Sequence, residues 1–154
     1  MIKHIKCDIF ESGADVICHQ VNCQGAMNSG IAKQVRERYP WVYAHYKRLC
    51  NTYRSDREKL LGFVQSTFIN ENTEIINLYT QLNYGYDSAC YTNYNALKVA
   101  LHYLAATRHK QIIAIPYLMG CCRGGGDWNV VYKMIEEAFT DSDCEVLICE
   151  YNGG

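Results

Sequence analysis

Hydrophobic and polar positions follow two different periods along the chain. Short apolar runs rich in Ile and Val are typical of strands, and longer segments have apolar residues at the spacing of one helix face. Pro40 predicts a break within the first helical segment, because proline disfavours helical backbone in the residue before it. Predicted strands span residues 2–10, 14–22, 62–69, 73–80, 110–118 and 144–151, and predicted helices span residues 30–50, 93–107 and 128–139.

The order of these elements is strand, strand, helix, hairpin, helix, strand, helix, strand. Polar residues 70–72 between two strands predict the hairpin. The strand at residues 110–118 has a nearly continuous apolar centre, which indicates burial on both faces of a sheet. The pattern therefore predicts an α/β fold in which helices pack over a mixed sheet.

Length and composition favour a soluble globular protein. The 154 residues suit one domain spanning residues 1–154, and 49% of them are hydrophobic while 20% are charged. The formal net charge of -1 lacks the basic character of a general nucleic-acid binder. Residues 1–10 have no signal-peptide pattern and no apolar run reaches membrane-spanning length, so a cytoplasmic location without membrane partners is expected.

Nine cysteines raise the question of metal binding. Seven are scattered, and the adjacent pair Cys121 and Cys122 has no second pair to complete a zinc site, so no metal is expected. Cys18 and Cys149 lie within apolar runs and are predicted to be buried free thiols. The odd count fits a reducing compartment.

Two glycine-containing loops each connect a predicted strand to a predicted helix. Loop 1 comprises residues 23–30 and loop 2 comprises residues 119–127. A helix start exposes unpaired backbone N–H groups, and glycine lets a ligand approach the backbone closely. In an open α/β sheet such loops lie at the carboxyl edge, where ligands bind. Both loops facing each other would suit a diphosphate, although neither matches a P-loop or a dinucleotide-binding motif.

Four segments of the sequence resemble macrodomain signatures, in order and at macrodomain spacing. They are "KCDIF" (6–10), "HQVNCQGAMNSGIA" (19–32), "NLYTQ" (77–81) and "GCCRGGGDWNVVYKMIEEAF" (120–139). The chain is similar to the branch of that family that includes the terminal ADP-ribose glycohydrolase and ADP-ribose-1''-phosphate phosphatases. The resemblance implies a three-layer α/β/α sandwich with a cleft for ADP-ribose and no further cofactor.

The same resemblance implies a role for particular residues. Asp8 would accept a hydrogen bond from the adenine amino group, with the Ile9 backbone nearby, while Asn22 and Gly25 approach the distal ribose. The residues that would wrap the diphosphate are Ser29, Gly30, Ile31, Ala32, Gly120, Cys121, Cys122, Arg123 and Gly124.

Elementary chemistry agrees with the adenine assignment. A carboxylate such as that of Asp8 accepts from the exocyclic amine of adenine but not from the carbonyl of guanine. Tyr151, just past the last predicted strand, is a candidate for stacking on adenine or for covering the end of the sheet.

The resemblance leaves catalysis open. The terminal glycohydrolase uses a lysine nucleophile and an aspartate, and those positions fall on Gln81 and Gly124 here. Because Gln81 has no amine, that covalent mechanism is not expected. The remaining catalytic candidates are His19, Asn22 and Asp127.

Two of these assignments have competing interpretations. His19 is a candidate general acid or base, or a structural histidine at a strand end. Asp127 is also expected to cap the following helix. Cys23 is a further nucleophile candidate, with no cationic neighbour in the sequence to lower its pKa.

The sequence therefore predicts an ADP-ribose-binding protein that hydrolyses a bond at the distal ribose, in ADP-ribose-1''-phosphate or in an ADP-ribosyl adduct. The alternative is a non-catalytic reader of free or conjugated ADP-ribose. A third interpretation, a site for other nucleotides or single-stranded nucleic acid, is disfavoured by the low positive charge. Nucleic acid is expected as a partner only where it carries ADP-ribose.

Overall fold

The structure is a computed structural model that describes residues 1–85, 87 and 89–151. Residues 152–154 of the predicted single domain, and residues 86 and 88 of the loop predicted before the second helical segment, lie outside the described residues. The strands are β1 (Ile2–Lys6), β2 (Val16–Asn22), β3 (Val64–Phe68), β4 (Glu74–Gln81), β5 (Ile112–Pro116) and β6 (Glu145–Glu150). The helices are α1 (Gly30–Arg38), α2 (Pro40–Thr52), α3 (Tyr94–Thr107) and α4 (Trp128–Ala138).

The six strands form one mixed sheet in the order β1-β6-β5-β2-β4-β3. Only the β3–β4 pair is antiparallel within this sheet, which confirms the predicted hairpin. After β2 the chain continues to β3 and β4 on one side, and after β5 it continues to β6 on the other. The boundary between β2 and β5 is therefore a switch point, where the loops that follow the two strands diverge and leave a crevice.

Helices cover both faces of the sheet, as the α/β pattern predicts. The core on one face includes Leu97, Leu101 and Leu104 of α3 together with Val131 and Ile135 of α4. The core on the other face is built on α1 and α2 and includes their buried residues Val35, Val42 and Tyr46. Every residue of β4 is buried, which is the pattern of a strand covered on both sides. The three-layer sandwich is therefore confirmed.

Local signals explain where the helices begin. Pro40 is the first residue of α2, where its missing N–H costs no helical hydrogen bond, so the break predicted there is confirmed. The Asp127 side chain accepts a hydrogen bond from the Asn129 N–H and caps α4, also as predicted. Two short 3₁₀ helices, Ile9–Glu11 and Arg57–Leu60, were not predicted because three or four residues are too few to show a helical period. The strand predicted at residues 2–10 is too long, since β1 ends at Lys6 and Ile9 begins the first of these helices.

Cys18 and Cys149 are buried, as their apolar surroundings predict. Within the described residues, no helix is both long enough and apolar enough to cross a membrane.

Candidate functional site

A cleft of about 280 Å³ opens at the carboxyl edge of the sheet, over the switch point between β2 and β5. Loop 1 and loop 2 form its two walls, so the sequence-based expectation that they face each other is confirmed. The predicted residues that line it are His19, Asn22, Ser29, Gly30, Ile31, Ala32, Gly120, Cys122, Arg123 and Gly124.

Loop 1 ends at a helix start that no side chain caps. Ser29 is the N-cap of α1, and its side chain makes no capping hydrogen bond to the described residues. The first helical hydrogen bond runs from the Lys33 N–H to the Ser29 carbonyl at 3.2 Å. The earlier N–H groups of the first turn are therefore available to an anion at the positive end of the helix dipole.

Asn22 holds loop 1 in shape. Its Oδ1 accepts hydrogen bonds from the Gln24 N–H at 2.9 Å, the Ala26 N–H at 3.3 Å and the Tyr46 hydroxyl at 2.8 Å. Its Nδ2 donates to the Ala26 carbonyl at 2.8 Å. With three donors on one oxygen, Asn22 acts first as the organiser of the loop, and its Oδ1 has little capacity left to orient a water molecule.

Gly25 lies behind this loop rather than in the cleft. Its φ of +88° favours glycine, and the Lys47 ammonium donates to its carbonyl at 3.2 Å. An added Cβ would lie 3.1 Å from that Lys47 nitrogen. Gly25 therefore permits the turn of loop 1, whereas the resemblance implied an approach to the distal ribose.

Loop 2 is held from its outer side by residues 89–92. The Gly124 carbonyl accepts hydrogen bonds from the N–H groups of Tyr91 and Thr92, and the Thr92 hydroxyl donates to the Gly120 carbonyl at 2.7 Å. A Cβ at Gly124 would lie 2.6 Å from the Gly120 carbonyl oxygen and would also collide with Thr92. Position 124 therefore has no space for the aspartate of the terminal glycohydrolase.

A partly buried polar network supports loop 2 from below. Gln20 Nε2 donates to Thr92 Oγ1 at 3.0 Å and to Gln81 Oε1 at 2.9 Å, while the Thr80 hydroxyl donates to Gln20 Oε1 at 2.8 Å. Gln81 also lines the cleft. The network joins the ends of β2 and β4 to loop 2 and fixes the height of that loop above the sheet.

His19 forms part of the cleft floor, on the face of β2 opposite to Gln20. It is 2% exposed, and its Nε2 lies 2.6 Å from Asn77 Oδ1. The Asn77 amide donates to Gln65 Oε1, and Gln65 Nε2 donates to the His45 carbonyl. Because that carbonyl can only accept, the chain of bonds makes Asn77 Oδ1 an acceptor and places the imidazole proton on His19 Nε2.

The electrostatics of His19 follow from this burial. Its Nδ1 is buried and has no hydrogen-bond partner among the described residues. Burial lowers the pKa of His19 to about 4, against a smaller opposing effect of the hydrogen bond to Asn77. The imidazole is therefore neutral at pH 7 and cannot act there as a general acid.

Several predicted residues lie outside the cleft lining. Asp8 caps the Ile9–Glu11 helix through a 2.9 Å bond from the Phe10 N–H, and its other oxygen lies 3.6 Å from the Arg38 guanidinium. Ile9 is buried in the α1–α2 core, because its side chain is apolar and points inward. Tyr151 is 62% exposed and stacks on no described aromatic ring. The adenine assignments of these three residues stay predictions.

The remaining three candidates outside the lining have structural contacts. Asp127 is committed to capping α4. Cys121 packs against the α3–α4 core, and burial raises the pKa of its thiol to about 11. Cys23 is fully buried, and burial raises its pKa to about 12, so it is not a thiolate nucleophile at neutral pH.

Sequence reasoning missed much of the cleft lining. The residues not proposed from the sequence are Gln20, Val21, Ala26, Asn28, Tyr84, Pro116, Tyr117, Leu118 and Met119. Four of these, Gln20, Val21, Ala26 and Asn28, lie inside the quoted segment at residues 19–32, so a search of all polar residues in the matched segments would have found Gln20 and Asn28.

Comparison with known proteins gives a consistent result, although no family model matches the sequence. A DNA ADP-ribosyl glycohydrolase of Mycobacterium tuberculosis is 26% identical over 155 residues, covering 100% of this chain and 43% of that protein. An ADP-ribose 1''-phosphate phosphatase of Aspergillus oryzae is 39% identical over 62 residues, covering 39% of this chain and 30% of that protein. The chain thus spans less than half the length of these curated relatives.

Solved structures match over nearly the whole chain. The macrodomain of Mycobacterium tuberculosis DarG superimposes with a TM-score of 0.79 at 22% identity, covering 100% of this chain and 99% of that one. Thermosipho africanus DarTG in complex with ADP-ribose gives a TM-score of 0.78 at 19% identity, covering 97% of this chain and 41% of that one. The resemblance found in the sequence is confirmed, and the chain has the macrodomain fold.

Proposed function

We propose that this protein binds ADP-ribose in the cleft between loop 1 and loop 2 and hydrolyses a bond at the distal ribose. The substrate is ADP-ribose-1''-phosphate or an ADP-ribosyl adduct, and nucleic acid is a partner only where it carries ADP-ribose. The observation that carries this proposal is the placement of two backbone-lined loops on opposite walls of one cleft at the switch point of the sheet.

The diphosphate fits the chemistry of these walls. The uncapped start of α1 offers N–H groups at residues 30–32, and residues 122–124 of loop 2 offer further backbone N–H groups, since the Cys121 N–H already donates to the Leu118 carbonyl. Among the described residues that line the cleft, Arg123 is the only charged side chain at neutral pH and no carboxylate is present. The cleft therefore favours an anionic ligand.

Adenine is assigned to the end near Asp8. One oxygen of Asp8 accepts from the Phe10 N–H, and a carboxylate has further lone pairs for the adenine amino group. The ion pair with Arg38 competes only weakly with adenine for the Asp8 carboxylate, because Arg38 is 44% exposed and solvent screens exposed pairs. Ile9 backbone and a stacked Tyr151 would complete the adenine site.

Catalysis is assigned to His19 and Asn22 at the distal end. Gln81 lacks the amine of a covalent mechanism, so the proposed reaction is direct attack by water. With its proton held on Nε2 by Asn77, the buried Nδ1 of His19 carries the lone pair that could accept a proton from the attacking water. A base with a pKa of about 4 is weak, so this site would work mainly by binding and orienting the substrate. Asp127 is a lesser candidate, since it caps α4.

A reader function is the second candidate. The Oδ1 of Asn22 already accepts three hydrogen bonds, and Gln81 stands where the related glycohydrolase has its nucleophile. In this case His19 and Gln81 only line the cleft. The names of the relatives, a glycohydrolase and a phosphatase, support hydrolysis over reading.

Two measurements test the proposal. At ADP-ribose one hundred times its Kd, the free energy of unfolding should rise by about 2.7 kcal/mol, visible as a higher Tm. Incubation with ADP-ribose-1''-phosphate and with ADP-ribosylated protein and DNA should release phosphate or ADP-ribose, detected by mass spectrometry. A Tm rise without product supports the reader, and no Tm change at millimolar ligand contradicts both functions.

The adenine assignment has its own test. Asp8→Ala should weaken ADP-ribose binding far more than it weakens ribose 5-phosphate binding, because only ADP-ribose carries adenine. Equal losses for both ligands would mean that Asp8 acts only as the cap of the Ile9–Glu11 helix.

A further inference from the structure

The hydrogen bonds beneath loop 2 have a fixed direction. The Gly120 carbonyl can only accept, so the Thr92 hydroxyl must donate to it. Thr92 Oγ1 then accepts from Gln20 Nε2, and the second hydrogen of that amide is donated to Gln81 Oε1. The order of donors and acceptors thus runs from the loop 2 backbone to Gln81 without an ambiguous step.

The Gln81 amide is therefore oriented by its neighbours. Since its Oε1 is used as an acceptor inside the network, its Nε2 carries two hydrogens that can only donate. Gln81 is 7% exposed and lines the cleft, so its remaining amide group borders the ligand space. A buried donor of this kind favours a ligand that brings an acceptor.

A register shift brings Gln81 into this position. Val21 of β2 faces Tyr79 of β4, whereas the next residue, Asn22, faces Gln81. Thr80 is thus an extra residue on β4, and both Thr80 and Gln81 reach Gln20. The shift also sets Gln81 directly beside Asn22, at the end of the cleft assigned to the distal ribose.

We infer that Gln81 is a specificity-determining residue that donates hydrogen bonds to a phosphate on the distal ribose, so that ADP-ribose-1''-phosphate is the preferred ligand. The inference rests on the proposed function for the location of the distal ribose. Charge supports it independently, because Arg123 lines the same cleft and no carboxylate among the described lining residues would repel the additional phosphate.

The test compares three ligands by isothermal titration calorimetry: ADP-ribose-1''-phosphate, ADP-ribose, and ADP, which lacks the distal ribose. The full chain should bind the 1''-phosphate at least about tenfold more tightly than ADP-ribose, the value expected for hydrogen bonds to a charged group. Phosphate release is monitored in parallel, so that turnover is not mistaken for binding.

Gln81→Glu is the decisive variant, because its carboxylate still accepts from Gln20 but replaces the donors with a negative charge. The preference for the 1''-phosphate should disappear or reverse, while ADP affinity stays within about twofold. Gln81→Met, which removes the donors without adding charge, should reduce the preference to near unity. Gln111→Glu adds the same charge near the start of β5, remote from the cleft, and should change no affinity.

The outcomes separate the two proposals. A Gln81→Glu protein that keeps the 1''-phosphate preference overturns the inference and leaves the proposed function standing. Equal losses for all three ligands in both Gln81 variants also overturn it, since they indicate a purely structural role for Gln81. If the unmodified chain binds neither ADP-ribose nor its 1''-phosphate, the proposed function fails and the inference fails with it.

Discussion

Loop 1 and loop 2 line opposite walls of the same cleft but are held by different means. Loop 1 is shaped from within by Asn22 and from behind by the Tyr46 hydroxyl, and it leads into a helix start without a side-chain cap among the described residues. Loop 2 is held through Thr92 and is followed by a helix whose first turn is capped by Asp127.

Under the proposed function, this difference means that the two walls would bind the diphosphate through different backbone groups. At loop 1 the helix start itself is open to a ligand, with its free N–H groups and its dipole. At loop 2 the carboxylate of Asp127 takes up part of the corresponding helix start, so anion binding depends on the backbone of residues 122–124. Similar glycine-rich sequences thus give two loops that are held in different ways.

The largest expected effect on ligand binding comes from a substitution that distorts loop 2. Gly124→Ala should lower ADP-ribose affinity by at least about 100-fold, close to 3 kcal/mol, because its Cβ collides with Gly120 and Thr92. Gly30→Ala at loop 1 should weaken ADP-ribose binding by only about 1 kcal/mol, since the added Cβ lies in open space and only the backbone at a φ of +58° is strained. Titration calorimetry measures both. Gly13→Ala, with a φ of +76° and open space outside the cleft lining, controls for backbone strain alone.

A second prediction concerns His19 in the cleft floor and the pH dependence of the free energy of unfolding. The folded pKa of His19 is about 4 and the unfolded value is about 6.5, so the unfolded chain binds more protons between these values. The His19 contribution to stability, up to about 3 kcal/mol, is therefore complete above pH 6.5 and is lost as the pH falls towards 4. Urea unfolding at a series of pH values measures it.

The matched variants for this titration are His19→Gln and His102→Gln. His19→Gln should lose that part of the pH dependence, whereas His102→Gln, at an exposed helix position, should keep it. If both variants follow the unmodified chain, His19 is not buried in its neutral form.

Tyr46→Phe tests how loop 1 is organised. It removes a hydroxyl whose single hydrogen is shared between the carbonyl and the Oδ1 of Asn22, and should cost about 1–2 kcal/mol of stability and several-fold in ADP-ribose affinity. Tyr79→Phe removes another buried hydroxyl, the one that donates to Gln65, and should cost similar stability with unchanged affinity. Equal affinity changes in the two variants would contradict a specific role for Tyr46.

The smallest expected effect concerns the cap of α4. Asp127→Ala should lower stability by about 1 kcal/mol and leave turnover of ADP-ribose-1''-phosphate unchanged. Asn93→Ala removes the corresponding cap of α3 and should behave alike. Loss of turnover only in Asp127→Ala would restore Asp127 as a catalytic candidate. Chemical unfolding and phosphate release are the two measurements.

Much of the fold could be predicted because its determinants are local. Apolar runs, Pro40 and the capping side chain of Asp127 act within a few residues of the elements they define. The adjacency of the two loops was also predictable, since both follow strands that end at the same edge of a sheet.

The internal support of the site could not be predicted from one sequence. Gln20 meets Gln81 and Thr92 across 61 and 72 residues, and Tyr46 meets Asn22 across 24 residues. Such contacts depend on strand register, and the shift beside Thr80 gives no local signal in the sequence. For the same reason, the sequence predicted Asn22 beside a ligand but not the hydrogen bonds through which it also organises the loop.

The pairing of β2 with β5 sets the width of the cleft. The two strands pair at Val16 with Ile113 and at Ile17 with Ala114, near their amino ends. Among the described residues, no pairs join them closer to loop 1 and loop 2, so the cleft opens between the two carboxyl ends. Under the proposed function, the distance between the two loops limits the length of the phosphate chain that both can contact. Analogues with one or three phosphates should therefore bind more weakly, because both loops are carried by neighbouring strands of one sheet.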